Sequence, residues 1–299
     1  MHFVVRTRTK VNAWLRVLPL KEGHALHELV SLFLPVDFGD RLLIQASPSP
    51  TPSLHLTCNR SDLLPGNSVQ KAWQAFANAL AHVASHPSFG IDAHLEKHVP
   101  EQTGLGAGSG DAGEMLLFLN QLHAFPFSSL QLRVLARDLG SDVPFFVESG
   151  PCLVQGTGDV VEPLPSFPRL TCCIVVPSFR IDTGAAYRLL DDVMTRQGPS
   201  AAEPSVSMEA VMNALTTCEP IRQVQAPRLN AFSSALGDNI VPFLAIRDLL
   251  LASGAILSDL SGSGSAIFGV YAKRAAAEAA ALGVQQHFRA ARTFVAGIL

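Results

Sequence analysis

Residues 97–112, Lys-His-Val-Pro-Glu-Gln-Thr-Gly-Leu-Gly-Ala-Gly-Ser-Gly-Asp-Ala, constrain this chain more than any other stretch. Gly104, Gly106, Gly108 and Gly110 alternate along it. Glycine lacks a Cβ, so such a backbone bends sharply and lets another molecule approach closely. The spacing of Ala112, Met115, Leu116, Leu119 and Leu122 predicts a helix directly afterwards, with Ser109 as its cap. A glycine loop feeding a helix N-terminus presents unpaired N–H groups and a positive dipole end. That is an anion site, and phosphate is its usual occupant. A Walker loop needs Gly-x-x-x-x-Gly-Lys-Ser/Thr, and no lysine follows these glycines. A dinucleotide fingerprint begun at Gly104 needs glycine at 109, where serine stands. Taken alone, the stretch is also readable as a glycine-rich surface turn.

The chain has 299 residues, enough for one large domain or two ordinary ones. Its net charge of −3 and its lack of a Lys/Arg block argue against a nucleic-acid partner. No run of about 18 apolar residues is present, so no membrane span is expected. The N-terminus has no apolar core of signal-peptide length. The five cysteines form no Cys-x-x-Cys pair, and Cys172-Cys173 sits in an apolar run. Reduced thiols in a cytoplasm are therefore expected, rather than disulfides or zinc.

Residues 6–17 alternate, with Arg6, Arg8, Lys10, Asn12 and Arg16 on one side, which predicts a half-buried strand with a solvated cationic face. Strands are predicted around Val30–Leu34, Arg41–Ala46 and His55–Cys58, with Gly39-Asp40 as a turn. Asn67 starts a helix whose apolar stripe is Val69, Ala72, Trp73, Phe76, Leu80 and Val83. Residues 90–97 return as a strand. Ser128 or Ser129 caps a helix that stops at Gly140, and 151–163 reads as paired strands turning at Gly156 and Gly158. Asp142 is either a helix cap or a site residue. The prolines at 163, 165 and 168 mark a domain boundary, giving 1–163 and 164–299. Beyond them come a strand at Leu170–Val176 and helices near 184–194, 207–216 and 231–252. Residues 196–206 read as a loop, and Ser261-Gly262-Ser263-Gly264 as a tight turn or second backbone cradle. An alanine-rich helix at 273–283 and a strand near 292–298 close an α+β chain of two domains.

Three separated stretches together resemble the GHMP small-molecule kinases. Thr9-Lys10-Val11-Asn12 resembles their Ala-Lys-Leu-Asn opening. Pro100 with Gly104-Leu105-Gly106-Ala107-Gly108-Ser109 resembles their phosphate loop. Ser261-Gly262-Ser263-Gly264-Ser265-Ala266 resembles their third motif. Phe38-Gly39-Asp40, Leu139-Gly140-Ser141-Asp142-Val143-Pro144-Phe145-Phe146 and the Gly150–Leu164 run are similar to the branch that phosphorylates a cytidine diphosphate sugar-alcohol. The resemblance implies a two-domain GHMP-type fold, ATP and Mg²⁺ as cofactors, and Lys10 with Asp142 as the catalytic pair. It implies ATP binding by Pro100, Gly104, Leu105, Gly106, Ala107, Gly108, Ser109 and Gly110, with Asn67, Val69 and Lys97 lining the adenine pocket. It implies substrate binding by Asn12, Leu26, His27, Asp142 and Tyr187, and a hydroxyl from Ser109 toward phosphate or metal. A monomer or homodimer is expected.

The sequence departs from that pattern in places. Leu26 stands where a stacking tyrosine is usual, and Gly110-Asp111 replaces Ser-Asn. Asn230-Ala231-Phe232-Ser233 keeps little of the usual Asn-Asp-Phe/Leu-Glu. An acid at 111, beside phosphates, needs Mg²⁺ or Lys10 near it. The alternatives are a homoserine- or mevalonate-type kinase, motivated by Leu26, and a non-catalytic nucleotide-binding protein of this fold, motivated by Asp111.

Overall fold

The computed structural model describes residues 1–83, 86–221 and 228–299. In chain order they form β1 (His2–Arg6), β2 (Thr9–Val17), β3 (Leu29–Val36), β4 (Arg41–Pro48), β5 (Ser53–Cys58), α1 (Ser68–Leu80), β6 (Phe89–Glu96), α2 (Ala107–Leu122), α3 (Ser129–Arg137) and α4 (Val143–Phe146). There follow β7 (Cys152–Gly156), β8 (Val160–Pro163), β9 (Thr171–Val176), α5 (Thr183–Gln197), α6 (Met208–Thr217), α7 (Ile240–Ala252), β10 (Leu257–Leu260), β11 (Ile267–Tyr271), α8 (Arg274–His287) and β12 (Arg292–Gly297). The class is α+β, as expected.

The chain forms two compact units, each discontinuous in sequence, a different division from a cut at 163. The first comprises Met1–Thr9, Phe38–Glu101 and Gly106–Ser149; the second comprises Lys10–Asp37, Gln102–Leu105 and Gly150–Leu299.

The first unit is a four-stranded sheet, β1-β4-β6-β5, antiparallel except for the parallel β5–β6 pair. Alternate residues of β4 and β6, such as Leu42, Ile44, Ile91, Ala93 and Leu95, bury one face. Against them pack Val69, Ala72 and Phe76 of α1 and Met115, Leu116 and Leu119 of α2. Asn67 caps α1 through its side-chain oxygen, which accepts from the Val69 N–H at 2.9 Å. Ser128 and Gln131 form a capping box at α3.

The second unit holds two four-stranded sheets, β10-β11-β9-β12, antiparallel throughout, and β2-β3-β7-β8, antiparallel across β3-β7-β8. Its core joins Leu15 and Val17 to Cys173, Val175, Leu190, Phe232, Phe243, Ile246, Tyr271 and Val284. Cys172 and Cys173 are core residues, and burial raises both thiols above the ordinary range.

Three sequence expectations are corrected. The single strand over 6–17 is two strands, and β2 is buried almost throughout instead of alternating. Both of its faces are covered: Leu15 enters the core, while the Trp14 indole donates to the Val206 carbonyl at 2.8 Å. The helix over 231–252 is two short 3₁₀ turns, Ala231–Ser234 and Gly237–Asn239, before α7. Ser109 does not cap the loop helix. Gly106, left-handed at φ 69°, occupies the N-cap position, and Ser109 lies inside the first turn of α2.

Candidate functional site

The glycines at the start of α2 divide by what they touch. A Cβ on Gly110 would lie 2.0 Å from the Arg8 carbonyl oxygen, and one on Gly113 would lie 2.5 Å from the Phe146 Cβ. Those positions are glycine because α2 packs closely on its own unit. Gly108 is exposed, and a Cβ there would meet only the Ser68 Oγ, at 3.8 Å. This end of the helix therefore offers backbone N–H groups beside open space, an arrangement suited to an anion. Ala107 is buried, while Pro100 and Ser109 are half-buried.

Asp111 needed a partner, and the partner is Lys97 rather than Lys10. The Lys97 Nζ stands 2.9 Å from Asp111 Oδ2 and 2.5 Å from Asp40 Oδ2, with all three side chains nearly fully buried. Asp40 Oδ1 also accepts the His98 N–H at 2.5 Å and the Val99 N–H at 2.8 Å. The pairing of Arg41 with Glu96 brings Asp40 opposite Lys97, so the sheet register builds this contact. Burial raises the Asp111 carboxyl, and the nearby Asp40 adds to the effect against the pull of Lys97. The Phe38-Gly39-Asp40 motif acquires a physical reading here. A Cβ on Gly39 would lie 1.9 Å from the Thr7 carbonyl oxygen, and the Asp40 N–H donates to Thr7 Oγ1 at 2.8 Å.

Arg8, expected on a solvated face, is largely buried. It pairs with Glu114 of α2 and donates to the carbonyls of Glu148, at 2.9 Å, and Phe146, at 2.7 Å. It thereby ties α2 to the chain that leaves α4. Asp142 stands at the N-cap position of that short helix, half-buried and without a capping hydrogen bond from its side chain. The first unit thus holds Asp142 with Pro100, Gly106–Gly110, Asn67, Val69 and Lys97. Val69 is wholly buried in the core, and Lys97 is committed to its two aspartates.

Lys10 lies in the second unit, at 3% exposure. Its Nζ donates to Asn12 Oδ1 at 2.6 Å and sits 4.7 Å above the centre of the Phe33 ring. Asn12 in turn donates to Ser31 Oγ at 3.0 Å, and Ser31 donates to the Trp14 carbonyl at 2.6 Å. Three distant stretches of sequence meet around this lysine. The Lys10 N–H donates to the Leu105 carbonyl at 2.9 Å, and the Ala266 N–H to the Thr103 carbonyl at 3.0 Å. Ser261 Oγ donates to the Gly104 carbonyl at 3.0 Å. A Cβ on Gly104, at φ +77°, would lie 2.0 Å from the Ser261 carbonyl oxygen, and one on Gly262 would lie 3.4 Å from the Lys10 Nζ.

The turn after β10 is held from below by Asp259, which is fully buried. Its carboxylate accepts the Leu229 N–H at 2.6 Å, the Asn230 N–H at 3.2 Å and the Leu260 N–H at 2.7 Å. Asn230 donates to the Leu260 carbonyl at 2.7 Å and the Gly262 carbonyl at 2.9 Å. Burial pushes the Asp259 carboxyl up to about 6 against these amides. The sequence alone assigns no site role to Asp259, to Asp40 of the Phe38-Gly39-Asp40 motif or to Arg8. An aspartate inside the apolar run Ala255–Leu260 was the available signal for the first.

His27 and Tyr187 stack at 5.1 Å between ring centroids, and Tyr187 meets Phe232 edge-on at 4.9 Å. The His27 Nε2 is 3.3 Å from Asp191, and its Nδ1 is 2.9 Å from the Leu18 carbonyl. Leu26 is 61% exposed. The structure therefore brings His27 and Tyr187 together directly.

Comparison with known proteins adds the following. The model of the GHMP kinases N terminal domain matches residues 67–150, and that of the GHMP kinases C terminal matches 235–290. The chain is 31% identical over 271 residues to a 4-diphosphocytidyl-2-C-methyl-D-erythritol kinase of Synechococcus sp. (strain JA-2-3B'a(2-13)), covering 88% of this chain and 83% of that protein. It is 33% identical over 267 residues to the kinase of the same name from Thermosipho africanus (strain TCF52B), covering 89% and 90%. Among solved structures, a 4-(cytidine 5'-diphospho)-2C-methyl-D-erythritol kinase matches with TM-score 0.77 and 29% identity over 100% of this chain and 99% of that one. A homoserine kinase from Cytophaga hutchinsonii matches with TM-score 0.64 at 16% identity, over 99% and 95%, a likeness of fold.

Proposed function

The chain belongs to the GHMP kinases, and we propose that it transfers the γ-phosphoryl group of ATP to the 2-hydroxyl of 4-diphosphocytidyl-2-C-methyl-D-erythritol. A small-molecule kinase of this family uses ATP. The observation that carries the assignment to this sequence is the joining of Lys10, residues 103–105 and the Ser261–Ala266 turn, three separated motifs stitched by two backbone hydrogen bonds and the Ser261 hydroxyl.

In this reading, the hydroxyl oxygen attacks the γ-phosphorus, the bond from γ-phosphorus to the β-bridging oxygen breaks, and ADP leaves. Asp142 accepts the hydroxyl proton. Lys10, held by Asn12 and Phe33, offsets charge on the reacting oxygens. The open amides of Ala107–Ser109 receive phosphate oxygens. Asn67, Val69 and Lys97 place the backbone beside the adenine. Asn12, His27 and Tyr187 hold the acceptor, and the stacked His27–Tyr187 pair offers a flat surface to cytosine. Leu26 would lie at the rim of this surface.

Among the described residues no group of three or more His, Cys, Asp or Glu side chains is arranged to hold a metal. Asp111 is committed to Lys97. These residues fit a Mg²⁺ ion carried by the nucleotide, because Mg²⁺ is commonly bound by phosphates with one or two protein oxygens. The Ser109 hydroxyl, in the first turn of α2, would be the protein group for it. Bound there, the ion would neutralise phosphate charge. A cytoplasmic location belongs to the same reading, in keeping with Cys172 and Cys173 as thiols of the core.

The test is turnover with Mg²⁺, ATP and a panel of alcohols. The cytidine diphosphate sugar-alcohol should be preferred over homoserine and mevalonate. Asp142→Ala should lower kcat by at least about a thousandfold while ATP still binds. Undiminished turnover in Asp142→Ala would sink the mechanism, and preference for a cytidine-free alcohol would sink the substrate.

A further inference from the structure

We propose that Asp111 is a positioning residue for the nucleotide: through Lys97 and Asp40 it ties the start of α2 to the segment at 97–99, and so sets where the helix's open amides stand. This rests on the reading that α2 receives the phosphates.

The tie joins three segments of the first unit that lie far apart in sequence. Asp40 immediately precedes β4, Lys97 follows β6, and Asp111 is the fifth residue of α2. The backbone at 97–99 is itself held by side chains. Asn59 Oδ1 accepts the Lys97 N–H at 2.9 Å, and Asp40 Oδ1 accepts the next two amides. This segment is fixed to β4 and β5 before Lys97 reaches α2. An ammonium has three donors, and two of those on Lys97 already face carboxylates. Two of the three donors are thereby spent on the tie.

The contact falls where it governs the loop most directly. Asp111 lies one helical turn beyond Ala107 and Gly108, on the same side of the helix. Small movements there carry straight to the exposed amides. Gly110 and Gly113 already press α2 onto Arg8 and Phe146, so the helix cannot slide without steric cost. The ion pair fixes its remaining freedom, the rotation that aims the first turn. The same pair also offsets a carboxylate charge near incoming phosphate. A merely structural ion pair would contribute stability and leave nucleotide affinity unmoved.

The experiment compares Asp111→Ala with Asp111→Asn, whose amide oxygen still accepts from Lys97. ATP affinity is read by calorimetry and, where turnover is seen, KM for ATP is read against kcat. Asp111→Ala should weaken ATP binding about tenfold and raise KM for ATP alike, with kcat within about twofold. Asp111→Asn should restore most of the affinity. Wild-type ATP affinity in folded Asp111→Ala overturns the proposal, and so does Asp111→Asn behaving like the alanine variant. If Asp111→Ala does not fold, Asp40→Asn reads the same quantity, since its oxygen keeps the amides of 98 and 99 while its NH₂ faces Lys97. An unchanged ATP affinity there overturns the proposal equally. Failure of the kinase reading looks different: wild type would bind ATP without phosphorylating any alcohol, and the calorimetric comparison would still stand.

Discussion

Asp111 in the first unit and Asp259 in the second are both almost completely buried, at 1% and 0% exposure, and burial raises both carboxyls. They are compensated in different ways. Asp259 is met by three backbone amides from two segments, fixed dipoles that cannot leave. Asp111 is met by side chains, Lys97 first, a long one that it shares with Asp40, and Thr7. A carboxylate fixed by amides is a strut, and removing it leaves the turn unsupported. A carboxylate held by a shared lysine is a tie between segments, and its loss changes their relative position before it unfolds them. The difference predicts that damage at Asp259 appears in stability and damage at Asp111 appears in nucleotide affinity.

The largest expected effect is Asp259→Ala. Each buried amide left without an acceptor costs about 1–3 kcal/mol, so roughly 4 kcal/mol of stability should be lost. Urea denaturation measures it. A loss under about 1 kcal/mol, within the range of an ordinary surface substitution, would end the description of Asp259 as a strut.

The second effect is in pH. The Asp259 carboxyl rises from an ordinary 3.8 to about 6 on folding. Between those values the native state keeps a proton that the unfolded chain releases. Stability from this group is therefore fully present below the unfolded value and falls as pH rises to about 6, by about 3 kcal/mol at most. The raised Asp111 contributes a slope of the same sign, which is common to wild type and variant. Urea midpoints at pH 4 and pH 7 should converge in Asp259→Asn relative to wild type. Equal pH slopes in the two proteins would mean that Asp259 titrates in its ordinary range.

The contrast between the two aspartates also measures what the sequence made legible. The helix after the glycines, the paired strands at 151–163, the tight turn at 261–264, and the caps at Asn67 and Ser128 follow local rules, and they were readable. The cationic side of residues 6–17 was misread because alternation reports the two faces of a strand, not what covers them. Lys10 lies over the Phe33 ring and Arg8 is locked to α2, contacts made by residues remote in sequence. The partner of Asp111 was missed for the same reason. Lys97 is only 14 residues away, but it reaches α2 through a sheet register that pairs Arg41 with Glu96. Motif order brought the candidate site into view, whereas the electrostatics of the site required the fold.

Asp40→Asn sharpens the comparison within one cluster. Two amides keep their acceptor and one ionic contact is lost, with Asp111 still beside Lys97. Stability should fall by about 2 kcal/mol, less than for Asp259→Ala. A larger loss than at Asp259 would reverse the assignment of strut and tie.

The smallest effect has the opposite sign in stability and separates the glycines of the loop. Gly108 has room for a methyl group, with only Ser68 Oγ in contact range, and it lies within α2. Alanine there should raise stability by about 0.5–1 kcal/mol, the ordinary gain over glycine in a helix. Alanine at 110 would instead strike the Arg8 carbonyl, so that position serves packing. If phosphate approaches the backbone at 108, the same methyl that stabilises the helix must obstruct the ligand, and ATP affinity should fall several-fold by calorimetry. A stabilised Gly108→Ala protein with undiminished ATP affinity would mean that Gly108 is glycine for neither packing nor phosphate. The tie at Asp111 would then have no open loop to aim.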